Sequence, residues 1–194
     1  MISSSDPDNG KYAYHIHLVN HPRGPLHGRV FALEAPQMSS IHGMPGHLVR
    51  RLHQISTSVF ADRMAVGGHD VTPVQYAALA TLADHPGIDQ ATLAGLIAYD
   101  RVTIGGVVDR LESKGLVERA VNDRDRRSRV LKLTGAGAAL VTELAPVVAG
   151  LQDDILGGLD AGERARLMEL LEKAASAGNA LSRAPLVLPA ATEE

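Results

Sequence analysis

Between Asp100 and Lys132 stand nine of the chain's 19 lysines and arginines against six of its 22 acids, leaving this stretch about +3 in a molecule of formal charge −3. Four of the cations, Arg124, Arg126, Arg127 and Arg129, crowd into six positions, with Arg101 and Arg110 upstream. A guanidinium is a planar fork of N–H donors that fits a phosphate, or the O6/N7 edge of guanine, by two parallel hydrogen bonds. Such a cluster suits the grip of a polyanion better than it suits catalysis. The acidic remainder is no obstacle, because a phosphate senses charge within a Debye length of roughly 10 Å.

Catalytic and metal chemistry find less support. The chain has no cysteine, which removes thiolate nucleophiles, disulfides and thiolate zinc sites. No G-x-S-x-G, G-x-x-x-x-G-K-[ST] or H-E-x-x-H occurs. Gly135-Ala136-Gly137 imitates the start of a dinucleotide fingerprint, but Leu140 stands where a third small residue is needed. Six of the nine histidines lie between His15 and His47. His15 and His17 could share a metal on one side of a strand, yet no carboxylate stands at a familiar ligand spacing. Neither an enzyme nor a resident metal or cofactor is expected.

A second set of polar residues is spaced for a smaller ligand. His47, Arg51, Gln54 and Ser58 recur at steps of four, three and four, one helical stripe beside the apolar stripe of Leu48 and Leu52. Arg51 could grip a carboxylate, His47 a ring hydroxyl or carboxylate, and Tyr76 could offer a ring face and a hydroxyl, which together suit a small aromatic acid. The competing reading is a solvated stripe, or one that bridges two subunits.

These residues must be held by helices. Apolar residues make up 45% of the chain and aromatic ones 3%, a balance for packed aliphatic helices rather than an aromatic-rich sandwich. No run of about 18 apolar residues occurs and MISSSDPDNG lacks the order of a secretory signal, so a soluble cytoplasmic protein without a membrane partner is expected. Residues 1–44 are rich in Pro, Gly, His and Ser and read as an arm, within which Met38, or Met44 at its end, could be the natural start.

From Pro45 to Val66, Leu48, Leu52, Ile55 and Val59 keep helical spacing. Thr72-Pro73-Val74-Gln75 is a capping box that opens a second helix running to Asp84. Asp89 caps a short third helix to Ile97, and Asp100 a fourth, with Val102, Val107, Val108 and Leu111 inward, stopping at Lys114-Gly115. Alternation at 116–121 and 129–133 gives two strands around the polar loop 122–128, where Asp125 and Arg127 could pair. Thr134 caps a long fifth helix, Asp160 restarts a sixth, and the tail after Ala180 reads as loose. The fold class is mainly α with a small two-stranded β-wing: a reading head over 72–133, helices 45–66 and 134–179 for association, and a tail over 180–194.

A short helix, a turn and a second capped helix set the second where it can enter a major groove about 12 Å wide. The expected contacts to double-stranded DNA are Asp100, Arg101, Thr103, Gly105, Gly106 and Arg110 from this helix, and Arg124, Arg126, Arg127 and Arg129 from the wing. Arg101 would fork to guanine or phosphate, and Thr103 would donate to a phosphate or touch a thymine methyl. Gly105-Gly106 costs about 1 kcal/mol per residue in a helix interior, so it needs a reason: close approach to DNA, or close packing on another helix.

The motifs VTPVQYAAL, DQATLAGLIAYDRVTIGGVVDRLESKGLVER and DRDRRSRVLKLTGAG, in that order, resemble the MarR family of bacterial regulators over residues 46–174. PGHLVRRLHQI and YDRVTIGGVVDRLE are similar to the branch of repressors that control nicotinate and hydroxy-aromatic acid degradation. The resemblance implies a homodimer through the first, fifth and sixth helices, a palindromic operator, and release by a small aromatic acid. Gly106 departs from the pattern, since many members carry a larger polar or basic residue there. A protein-interaction module without DNA binding remains the alternative.

Overall fold

The computed structural model describes residues 41–122 and 129–188. Its elements are α1 (Pro45–Val66), α2 (Pro73–Asp84), α3 (Gln90–Leu96), α4 (Ile104–Ser113), β1 (Val117–Val121), β2 (Arg129–Leu133), α5 (Gly135–Ile155) and α6 (Ala161–Gly178). The chain divides into two units at Val49 and Arg50. In the described part of the first, the rings of His42 and His47 meet edge to face, centroids 5.1 Å apart. The helix-turn-helix, the hairpin and the long helices after it belong to the second.

Helix starts are written locally. At α2, Gln75 N donates to Thr72 Oγ1 (3.3 Å) and Thr72 N to Gln75 Oε1 (3.1 Å), with Pro73 as the first helical residue, where no N–H is needed. Asp89 accepts from Thr92 N (2.8 Å) at α3, and Thr134 from Gly137 N (3.0 Å) at α5. At α6, Asp160 and Glu163 form a second capping box. Each cap contributes about 1 kcal/mol.

Two apolar clusters fill the second unit. In one, Leu79 and Leu82 of α2, Leu93 of α3, Ile104, Val108 and Leu111 of α4, and Val117 and Leu131 of the hairpin are all at most 2% exposed. In the other, Phe60 and Met64 of α1 meet Leu144 and Leu151 of α5. A buried side chain of this size contributes about 1.5–3 kcal/mol. The hairpin is antiparallel, pairing Val117 with Leu133 and Val121 with Arg129. The outer edge of β2 is covered by the 87–88 turn: Gly87 N donates to Leu131 O (3.0 Å) and Leu131 N to Ile88 O (2.8 Å).

Three expectations need correction, and one helix has a composition worth noting. The fourth helix begins at Ile104 rather than at Asp100. Val102 lies outward, 89% exposed, and Ile104 takes its place in the core, because the three residues before the helix form a turn with a different period. In the tail, read as loose beyond Ala180, the described residues 182–188 follow a defined path back to α3. Finally, although no uninterrupted apolar run exists, α5 is by length and composition apolar enough to cross a membrane. Much of its apolar surface is uncovered in the single chain. α6 buries no residue, leaving Met168, Leu170 and Leu171 57, 46 and 37% exposed.

Candidate nucleic-acid interface

The turn that leads into α4 is built by one carboxylate. Asp100 Oδ1 accepts from Val102 N (2.8 Å) and Thr103 N (3.2 Å), and Asp100 O accepts from Ile104 N (3.0 Å) and Thr103 Oγ1 (3.1 Å). The side chain of Asp100 is thereby committed to shaping the backbone, and Arg101, Val102 and Thr103 are left exposed. With the Thr103 hydroxyl donating inward, its methyl is what remains to offer a neighbour. Along α4, Ile104, Val107, Val108 and Leu111 are buried while Gly106, Asp109 and Arg110 are exposed, so the helix sinks one face and presents the other.

The two glycines have different surroundings. A Cβ on Gly105 would meet only the end of the Gln90 side chain at 3.4 Å, and one on Gly106 would meet nothing within 4 Å. Packing within the chain therefore explains neither. Gly106→Ala is expected to stabilise the protein by about 0.5–1 kcal/mol, since alanine loses less backbone entropy in a helix. The same substitution is expected to weaken DNA binding severalfold where a backbone needs close approach. Melting temperature and DNA affinity should move in opposite senses; if both rise, close approach is wrong.

Two cations of the basic stretch have internal duties that the sequence reading missed. Arg119 on β1 reaches back to α4, donating to Asp109 Oδ1 (2.5 Å) and to Glu112. The hydrogen bond to Asp109 is the largest of the effects that raise its guanidinium above the usual arginine value. Lys114, at the end of α4, pairs with Asp70 (2.9 Å) and lies 3.4 Å from Gln75 Oε1. Together they fasten α4 to the hairpin on one side and to the start of α2 on the other. Asp109 and Glu112 at i, i+3 were the available signal, legible only once the hairpin register is known. In the described part of this stretch, Arg101, Arg110, Arg129 and Lys132 carry no ion pair. Arg129 is exposed at the root of the wing. Arg124, Arg126 and Arg127, with the Asp125–Arg127 pair, lie outside the described residues.

The head is joined to α5 without slack. Thr134 Oγ1 donates to Gly115 O (2.6 Å), Thr134 N to Leu116 O (3.1 Å), and Gly137 is buried directly against the Leu116 carbonyl.

The candidate small-ligand residues are more dispersed. Arg51 is exposed and has no hydrogen bond or ion pair among the described residues. Tyr76 is half-buried beside Phe60, ring centroids 6.2 Å apart, and burial pushes its phenol above the usual tyrosine value. Phe60 is nine residues beyond Arg51 on α1, a rise of about 13 Å. His47 is half-buried in the first unit, its Nε2 3.4 Å from His42 Nδ1.

Comparison with known proteins agrees with this architecture. A model of the MarR family matches residues 69–128. The HTH-type transcriptional repressor NicR of Pseudomonas putida is 35% identical over 66% of this chain and 80% of its own length. BpsR of Bordetella bronchiseptica, solved in a study of how 6-hydroxynicotinic acid regulates its DNA binding, superposes with a TM-score of 0.64 at 29% identity over 69% of this chain and 94% of its own. A mutant MarR from E. coli complexed with operator DNA superposes with a TM-score of 0.62 at 29% identity, covering 66% of this chain and 91% of that one.

Proposed function

The chain belongs to the MarR family of DNA-binding transcriptional regulators, and from that premise we propose that it is a homodimeric cytoplasmic repressor that leaves its operator when a small aromatic carboxylate binds. The observation that carries the reading is the two-faced α4 with its lead turn: one face is buried in the head, and the other offers Arg101, Thr103, Gly106 and Arg110 outward. Arg129, exposed at the root of the wing, adds a cation for backbone contact beside the major-groove contacts of α4.

Dimer formation is supported by apolar surface that the single chain leaves uncovered. The open faces of α5 and α6, with Ile55 on α1 also 45% exposed, call for burial against a second copy. Two heads so joined must sit about 34–36 Å apart to enter successive major grooves of a palindrome. A ligand releases DNA only through unequal affinity for the two spacings, however tightly it binds.

For the ligand itself, an aromatic carboxylate is favoured by an arginine with no ion pair among the described residues and a half-buried tyrosine ring, and by BpsR, solved in a study of how 6-hydroxynicotinic acid regulates its DNA binding. Arg51 anchors the carboxylate and Tyr76 lines the ring. The experiment is a gel shift with the protein's own upstream DNA, titrated with benzoate and nicotinate analogues that first raise its melting point. Arg51→Ala is expected to retain DNA affinity and to need at least tenfold more ligand for release, as loss of a bidentate pair of about 1.5–3 kcal/mol requires. Unchanged release rejects the assignment of Arg51, and a protein that stays monomeric at micromolar concentration or ignores duplex DNA at low salt rejects the function.

A further inference from the structure

The segment after α6 is tied down at both ends. The Asn179 side chain clamps the backbone of Leu186, donating through Nδ2 to its carbonyl (3.0 Å) and accepting at Oδ1 from its N–H (2.8 Å). Ser182 Oγ accepts from Ala184 N (3.1 Å) within the loop so closed. One residue on, Val187 N donates to Gly95 O (2.9 Å). Gly95 is buried, and a Cβ there would stand 3.2 Å from Val187 Cβ, so the missing side chain is what lets this strap lie on the backbone of α3. Between strap and lead turn is a cleft of about 270 Å³, lined by Arg101 and Val102 from the turn and by Arg183 and Pro185 from the strap, with Tyr99 and Asp100.

Arg101 and Arg183 thus line one small cleft, and neither has an ion pair among the described residues. The nearby Asp100 carboxylate has Oδ1 occupied by two backbone amides. Two cationic residues on one small cleft favour an anion between them, and the anion nearest a lead turn of this kind is a phosphate of the duplex whose groove α4 enters. We propose that the strap is a further part of the DNA-binding edge, in which Arg183 joins Arg101 on a single backbone phosphate. The inference rests on the proposed reading of α4 as the element that enters DNA, and it assigns the C-terminal segment a positive contribution to affinity.

Fluorescence anisotropy of the full-length protein on its own upstream duplex, over a series of salt concentrations, tests it. Arg183→Ala is expected to weaken binding about fivefold to tenfold, equally on operator and scrambled duplexes, and to flatten log K against log salt by about 0.9. Arg183→Lys should recover most of the affinity, and Asn179→Ala, which unfastens the strap but removes no charge, should weaken binding in the same direction. Arg183→Ala with unchanged affinity and slope overturns the inference. So does tighter binding after truncation at Leu181, which makes the strap an obstruction, or normal DNA binding with lost response to a carboxylate, which makes the cleft a small-anion site. Arg101→Ala separates the two levels: if it too leaves affinity intact, the reading of the lead turn has failed, and if it alone weakens binding, only the role of Arg183 has.

Discussion

Gly137→Ala is expected to cost about 3 kcal/mol or more and to lower the melting temperature by roughly 6–12 °C in a chain of this size. A methyl group at this position collides with the carbonyl oxygen of Leu116, and it would also stand 3.0 Å from Leu116 C and 3.3 Å from Leu133 Cδ2. The oxygen is backbone, held by Thr134 N, so no side chain can swing aside. Relief requires α5 to shift against the turn between α4 and β1. Gly135→Ala is the matched control: nothing lies within 4 Å of its Cβ position, and a helical residue there gains up to about 1 kcal/mol. Thermal melts followed by circular dichroism compare the two. Equal melting temperatures would mean that the α5 junction has more give than its geometry states.

Arg101→Ala is expected to weaken DNA binding about tenfold to a hundredfold, the equivalent of about 1.5–3 kcal/mol for charge-assisted hydrogen bonds. With Arg101 on a phosphate, the loss falls equally on operator and unrelated duplexes and reduces the salt slope by about one unit. The fold should be untouched, because the side chain is exposed and unpaired among the described residues. Anisotropy titrations on both duplexes measure the effect. A loss confined to the operator would move Arg101 from backbone to base, and no loss at all would remove it from the interface.

What could be read in the sequence was what local chemistry writes. Thr72 with Gln75, Asp89, Thr134 and Asp160 announce helix starts because a side-chain oxygen three residues upstream of an amide needs no tertiary partner. Gly115, at φ +70°, likewise marked the end of α4. Hairpin and helix periods followed from alternation, and the hairpin register kept Arg129 at the wing root. One failure is local and the others are non-local. Asp100 bonds to the second and third amides after it in a turn, not to a helix beginning beside it, and the three-residue delay reversed the direction of Val102. The internal pairing of Arg119 depends on which strand position faces Asp109, and that of Lys114 on a loop 44 residues away. The strap escaped notice because the Asn179 clamp and the fit of Val187 on Gly95 carry no periodic signature. Arg51 and Tyr76 were read as ligand residues from their types alone, and their role stays part of the proposed function.

The emptiness around Gly106 separates two demands that usually conflict. A Cβ introduced there meets no atom of the described residues within 4 Å, so a small side chain can be added without repacking anything beneath it. If this face of α4 meets DNA as proposed, operator preference can drift through this one codon at little cost to the scaffold, since alanine there is expected to add stability rather than remove it. Libraries randomised among small and polar residues at Gly106 should yield folded proteins, and their DNA affinities then test whether this position meets the duplex.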